Sequence, residues 1–294
     1  MNNMTALVSA FARAYHYKNC EAPVFSDPLA EKLLSDGEYA AIARNMAEGI
    51  SFFAPGFQGT DEEALRRIVE RQLAPSVLAR SAFCERAIDN AVRIGCRQVA
   101  LFACGYDSFA FRTRDERLRV FALDRPEMIE DLWRRAERAK LTSACRVEYA
   151  GCDLSRPGWT DALIRAGFDA AQPSFGSLLG ISYYLSKAEF TRLVGAIASM
   201  ARAGSSLCLD YPQAEGGPEA GRNRALAAAA GEAMKARYSY GELEALLAEA
   251  GFLIYEHLDA AEATEAFFAD YNRACPAHQM AAPEGVGYCL AVKR

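Results

Sequence analysis

Acids stand where several apolar runs of this sequence end, and the types and positions of two of them, Asp124 and Asp153, suit the binding of a nucleoside. Ala103-Cys104-Gly105-Tyr106-Asp107-Ser108 follows the run QVALFA. Gly105 lets backbone approach a ligand closely, and the helix expected next offers unpaired N–H groups. Asp124 closes the following run nineteen residues after Gly105, which suits a carboxylate accepting hydrogen bonds from both hydroxyls of a ribose. Asp124-Arg125-Pro126-Glu127 has equally the form of a helix cap with proline and an acid in the first turn. Asp153 ends the third run in GCDLSRPGW, where it could take an adenine amino group or stabilise a turn. The fourth and fifth runs end in Leu179-Gly180-Ile181-Ser182-Tyr183-Tyr184 and Asp210-Tyr211-Pro212. These tyrosine-rich ends either build a mostly apolar pocket or pack as buried aromatics.

Other chemistries fit poorly. A dinucleotide fingerprint needs three glycines, and only Gly105 of them is present, which argues against NAD or FAD. Nine cysteines form no CxxC pair and only three histidines could join them, so no metal site is expected. Most of the thiols sit in apolar contexts and read as small buried hydrophobes. His16, His257 and His278 complete no nucleophilic triad.

The elements that must position these residues change near residue 95. Up to about residue 94 the pattern is helical: Ser26-Asp27-Pro28 reads as a helix start, Thr60 and Glu63 have capping-box spacing, and GISFFAPGFQGT between them reads as a loop over something apolar. Beyond it, seven short apolar runs (98–103, 118–124, 145–151, 174–180, 205–211, 251–257 and 286–293) alternate with amphipathic stretches. That texture predicts a largely parallel sheet covered on both faces. Residues 212–238, with a Gly/Pro-rich turn and an alanine-rich stretch, read as an insertion between the fifth and sixth strands. The expected organisation is a helical cap or lid over 1–94 and an α/β catalytic domain over 95–294.

The composition is that of a globular protein, with 294 residues, 51% hydrophobic and 24% charged. A net charge of −5 opposes a phosphate backbone, so nucleic acid is disfavoured. No apolar run reaches membrane-spanning length and the N-terminus lacks a signal-peptide layout, which predicts a cytoplasmic protein without membrane contact.

Taken together, these motifs resemble the leucine carboxyl methyltransferase family of class I S-adenosylmethionine-dependent methyltransferases, in particular its bacterial branch acting on small-molecule oxygens. The segments that carry the resemblance are ARAYHYKNCEAPVFSDPLAEKLL, LAPSVLARSAFCERAI, QVALFACGYDSFAFR, FALDRPE, GCDLS and LGISYYLS, in that order along nearly the whole chain. The resemblance implies a Rossmann-like fold with a seven-stranded, mostly parallel sheet, helices on both faces and a helical N-terminal cap. It implies that Arg80 pairs with the methionyl carboxylate, that Ala103 and Gly105 lie against the cofactor, and that Asp124, with Arg125 beside it, holds the ribose. Asp153 and Leu154 would flank the adenine, and Leu179 would stand at the fourth strand end. This chain departs from the family pattern at Ala103 and Cys104, where the pattern has Gly-Ala, and at Ala122 and Leu179, where the wider family has glutamate.

The activity expected on this basis is methyl transfer from S-adenosylmethionine to an oxygen of a small molecule by in-line displacement, leaving S-adenosylhomocysteine. A carboxylate acceptor is slightly favoured over a phenol or alcohol because it needs no base. For the latter, Tyr184, Asp210 and Tyr211, with Tyr183, are the nearest candidates. Phe52, Phe53 and the 212–238 insertion are expected to form the lid that selects the acceptor, and Arg13 and Lys18 to supply local positive charge. The altered glycine motif supports a second reading, a non-catalytic relative that binds a nucleoside or a protein partner.

Overall fold

Each of the seven apolar runs forms a strand, because a continuous stretch of branched and aromatic residues suits a position buried on both faces. In the computed structural model, which describes residues 4–215 and 234–294, these are β1 (Gln98–Phe102), β2 (Arg119–Asp124), β3 (Arg146–Gly151), β4 (Ser174–Leu178), β5 (Ser206–Pro212), β6 (Phe252–Leu258) and β7 (Val286–Lys293). They form one sheet in the order β3-β2-β1-β4-β5-β7-β6, with β7 antiparallel to both neighbours and the other pairings parallel. The strand order reverses between β1 and β4, and a ligand crevice is expected beyond the carboxyl ends of those strands.

Alternation along the strands divides the core. Val99, Leu101 and Val120 face one side, while Ala100, Phe102, Phe121 and Leu123 face the other. The first side is covered by α1 (Met4–Asn19) and α2 (Ala74–Arg93), whose Phe11, Leu78 and Phe83 share one apolar cluster with the strands. The second side is covered by α3 (Trp159–Arg165) and α4 (Lys187–Met200) through Trp159, Phe190 and Val194. The capping box read at Thr60/Glu63 forms, and the same motif closes at Ser186/Glu189 and Ser239/Glu242. Two more close at Ser35/Glu38 and Asp259/Glu262.

Two local expectations are corrected. Ser26-Asp27-Pro28 starts only a turn and a short 3₁₀ helix, Glu31–Leu33. Asp27 Oδ1 accepts from the N–H groups of Leu29 and Ala30 as a helix cap does, but the chain turns to extended backbone at Leu34 and no α-helix propagates. GISFFAPGFQGT contains a helical turn at Ile50–Phe53, and Phe52 is 54% exposed rather than laid over apolar surface. The alanine-rich part of the expected insertion, residues 216–233, lies outside the described residues. At its edges Tyr238 N–H donates to the carbonyl of Pro212, and Ala214 N–H to that of Tyr238.

Candidate active site

A cavity of about 590 Å³ opens at the carboxyl ends of β1, β2 and β4, within the size range of small-molecule sites. Its floor is the turn after β1. Ala103 and Gly105 both adopt left-handed backbone conformations, with φ of 54° and 53°. At Gly105 an added Cβ would only come into contact with the Ala6 methyl of α1 at 3.4 Å, so the constraint there is the backbone conformation. At Ala103 the side chain costs strain of about 1–2 kcal/mol, and the backbone nevertheless holds a glycine-like shape. Cys104 N–H donates to the Leu123 carbonyl at 3.0 Å and Asp107 N–H to the Cys104 carbonyl at 2.9 Å, which fixes the turn. Substituting Ala103 by glycine is therefore expected to stabilise the protein by about 0.5–1 kcal/mol, the strain less the added freedom of the unfolded chain. A urea midpoint that falls in the variant would contradict this.

Asp124 sits at the end of β2 and accepts from Gly105 N–H at Oδ2 (2.9 Å) and from Arg125 N–H at Oδ1 (2.7 Å). It makes no cap for the helix Pro126–Arg138, which begins at Arg125 without a side-chain cap. The carboxylate instead lines the cavity. Burial raises its pKa above the ordinary aspartate value, against the two backbone donors that lower it.

Asp153 follows β3 and also lines the cavity, with Cys152 and Leu154 beside it. One of its oxygens accepts from the Ser155 N–H and hydroxyl at 2.9 and 2.6 Å, so the turn-forming role is present in the structure. Leu179 and Gly180 extend from β4 on the opposite wall. Gly180 has φ of 68°, and a Cβ there would meet the Arg80 guanidinium at 2.8 Å. Arg80 reaches this wall from the helix Ala74–Arg93, donates to Ser9 Oγ at 3.3 Å and lies 3.7 Å from Asp210.

The three residues read as base candidates separate. Tyr184 lines the cavity. Asp210 is wholly buried beneath it and accepts from Gly180 N–H at 2.6 Å and from the Tyr183 hydroxyl at 2.9 Å. Tyr211 faces the other side of the sheet, where its hydroxyl shares a hydrogen bond with His257 Nε2 at 2.8 Å. Adjacent strand residues point to opposite faces, which is why Asp210 and Tyr211 cannot both serve one cavity.

The expected sources of positive charge also change. Lys18 pairs with Glu31 at the surface, outside the cavity. Arg13 lines the cavity but is committed to Asp27 at 2.8 Å and to the Tyr106 carbonyl at 2.7 Å. Phe52 and Phe53 pack on each other and do not line the cavity. Ser9, Met128 and Lys235 line it without having been singled out in the sequence. Ser9 could have been found from its position one turn before Arg13 on α1, whereas no local pattern marks Lys235.

His16 proves structural. Its Nε2 accepts from Val24 N–H at 2.9 Å and burial lowers its pKa to about 4. Of the nine cysteines six are buried. Among the described residues no group of three or more His, Cys, Asp or Glu could hold a metal ion, and no helix is long and apolar enough to cross a membrane.

A family model of leucine carboxyl methyltransferase matches residues 6–198, the stretch that builds the helical wall and the floor of the cavity. The chain belongs to the leucine carboxyl methyltransferase family. Within its reach, the "Putative S-adenosyl-L-methionine-dependent methyltransferase YktD" of Bacillus subtilis is 33% identical over 100% of this chain and 98% of its own length. A similarly named relative from Mycobacterium marinum is 30% identical over 70% of this chain and 64% of its own. Among solved structures, a DUF574 family protein from Streptomyces avermitilis aligns over 97% of both chains with a TM-score of 0.62 and 17% identity. The structure of a "putative methyltransferase" from Thermobifida fusca aligns over 86% of this chain and 94% of its own with a TM-score of 0.56 and 19% identity. These two likenesses establish the Rossmann-like class I methyltransferase fold that the leucine carboxyl methyltransferase motifs imply.

Proposed function

We propose that this S-adenosylmethionine-dependent methyltransferase methylates an oxygen of a small organic acid. The cavity fits the cofactor. Gly105 offers a floor without a side chain, Asp124 keeps acceptor capacity beyond its two backbone donors, and Arg80 brings a guanidinium to the opposite wall. In this reading Arg80 pairs with the methionyl carboxylate and Ala103 and Gly105 lie along the backbone of that amino acid. Asp124 and Arg125 hold the ribose side, and Asp153, Leu154 and Leu179 border the adenine and the crossing to the acceptor. When bound, S-adenosylmethionine supplies a methyl group already activated by its sulfonium.

The observation that carries the choice of acceptor is the sealing of Asp210. Its oxygens are engaged by Gly180 and Tyr183, and burial raises the Tyr183 hydroxyl pKa well above its ordinary value. Of the acids lining the cavity, Asp107 and Asp153 accept from backbone N–H groups of their own turns, and Asp124 accepts from Arg125 N–H and from Gly105 N–H of the neighbouring turn. A carboxylate acceptor arrives ionised and asks none of them to take a proton, whereas a phenol or alcohol does. Alignment then supplies the rate, for which effective molarities of about 10⁵–10⁸ M set the scale. The non-catalytic alternative rests on Ala103 and Cys104, yet the turn keeps the backbone shape a glycine would give.

Calorimetry with S-adenosylmethionine and S-adenosylhomocysteine, followed by a screen of carboxylic acids and phenols for S-adenosylhomocysteine release, tests the reading. Micromolar binding with turnover of carboxylic acids is the expected result. Turnover of phenols alone would overturn the acceptor class, and binding without any turnover would favour the non-catalytic relative.

A further inference from the structure

A second cavity of about 510 Å³ adjoins the first. Lys235 lines both, and its backbone N–H donates to the Tyr183 carbonyl at 2.8 Å. Tyr183 lines the second cavity and Tyr184 the first, so one short turn, Ser182–Tyr184, separates them. The second cavity carries an apolar wall from Pro212, Met234 and Val286. Among the described residues that line it, Lys187, Lys235 and Arg237 are cationic and Glu284 is acidic.

That surplus is notable in a chain with a net charge of −5. Lys187 pairs with Glu242, and Lys235 stands 3.8 Å from Glu189. Arg237 is half-buried and has no ion-pair or hydrogen-bond partner among the described residues. Its guanidinium is reachable from solvent and uncommitted to any carboxylate of those residues, and so is suited to an anion arriving from outside.

We propose that the second cavity holds the acidic far end of the acceptor. The acceptor is then an amphipathic organic acid: its apolar body lies on Pro212, Met234 and Val286, and a carboxylate distant from the methylated oxygen is held by Arg237 with Lys187 and Lys235. The assignment rests on the reading of the first cavity as the methyl-transfer site, and it names the substrate class that site takes.

Octanoate, octanamide and octylammonium probe it by NMR of the methionine methyl groups, with Met234 identified through Met234→Leu. No nucleoside is present, so loss of the cofactor reading and loss of this one give different results. Octanoate is expected to move the Met234 signal saturably and to bind about tenfold more tightly than octanamide, the effect of one charge-assisted hydrogen bond. Arg237→Ala should weaken octanoate by about tenfold and leave octanamide unchanged. Lys235→Ala, at an exposed position, provides a second variant in which folding is not at issue, and it should weaken octanoate in the same sense. Equal binding of the three probes, unchanged octanoate affinity in both variants, or displacement of octanoate by S-adenosylhomocysteine would overturn the proposal.

Discussion

Replacing Asp124 by alanine is expected to weaken S-adenosylhomocysteine binding by about 10² or more, since two hydrogen bonds to a charged acceptor are worth about 1.5–3 kcal/mol each. The carboxylate is already oriented by Gly105 and Arg125 N–H groups, so its remaining lone pairs face the cavity without further ordering. Asp124→Asn keeps the shape and loses the charge, and an intermediate loss of about tenfold is expected. The pH dependence has a definite sign. Burial raises the Asp124 pKa in the free protein, and hydroxyl donors from a ribose favour the ionised form. Affinity should therefore be level near neutrality and fall as pH drops through a value above the ordinary aspartate range, with a flat profile in the asparagine variant. Calorimetry across that range measures both. An alanine variant that binds within threefold of the parent would remove Asp124 from the site.

The second large effect concerns folding. Asp27 has no exposed side-chain surface and meets Arg13 at 2.8 Å, Arg112 at 3.4 Å and the Ser108 hydroxyl at 2.6 Å. Burial pushes its carboxyl up, and the two arginines with Ser108 outweigh burial and hold it below the usual carboxylate range. Removing one member of a buried ion cluster leaves the others uncompensated, at a cost of about 3–5 kcal/mol. Against a total stability of about 5–15 kcal/mol that is a large share. Asp27→Ala is expected to lower Tm by roughly 10 °C, on a scale of about 2–4 °C per kcal/mol for chains of this size. Because the folded-state pKa is depressed, the stabilisation is complete above the ordinary aspartate pKa and is lost as pH falls through the lower folded value. Parent and variant should thus converge in stability only in strong acid. A shift of less than 2 °C near neutrality would show that the cluster is solvated and dispensable.

The sheet could be read from the sequence because a strand buried on both faces announces itself as a short apolar run, and all seven such runs became strands within one or two residues at each end. That Asp124 and Gly105 would line one cavity was legible for a related reason: both stand at strand ends, and their spacing is a local property of one strand–helix–strand unit. Asp210 was misread because its partners, Gly180 and Tyr183, lie about thirty residues earlier and meet it only when β4 and β5 pair. Tyr211 was misread although the sequence held the signal, since two neighbours on one strand cannot face the same pocket. Asp27 looked like a cap because its local pattern is one. Its other role depends on Ser108 and Arg112, more than eighty residues away, and no window of sequence contains both.

The same separation has a consequence in time. Arg13, Asp27 and Glu38 precede in the chain the groups that complete their contacts, the Tyr106 carbonyl, Ser108, Arg112 and Arg135. At a synthesis rate of roughly 5–20 residues per second, the first helices wait about 5–20 s before those partners exist. During that interval Phe11 and its apolar neighbours have no strands to cover them. The helical wall is made before the groups that fix it, so the nascent chain, rather than the completed fold, is the form most exposed to misassociation.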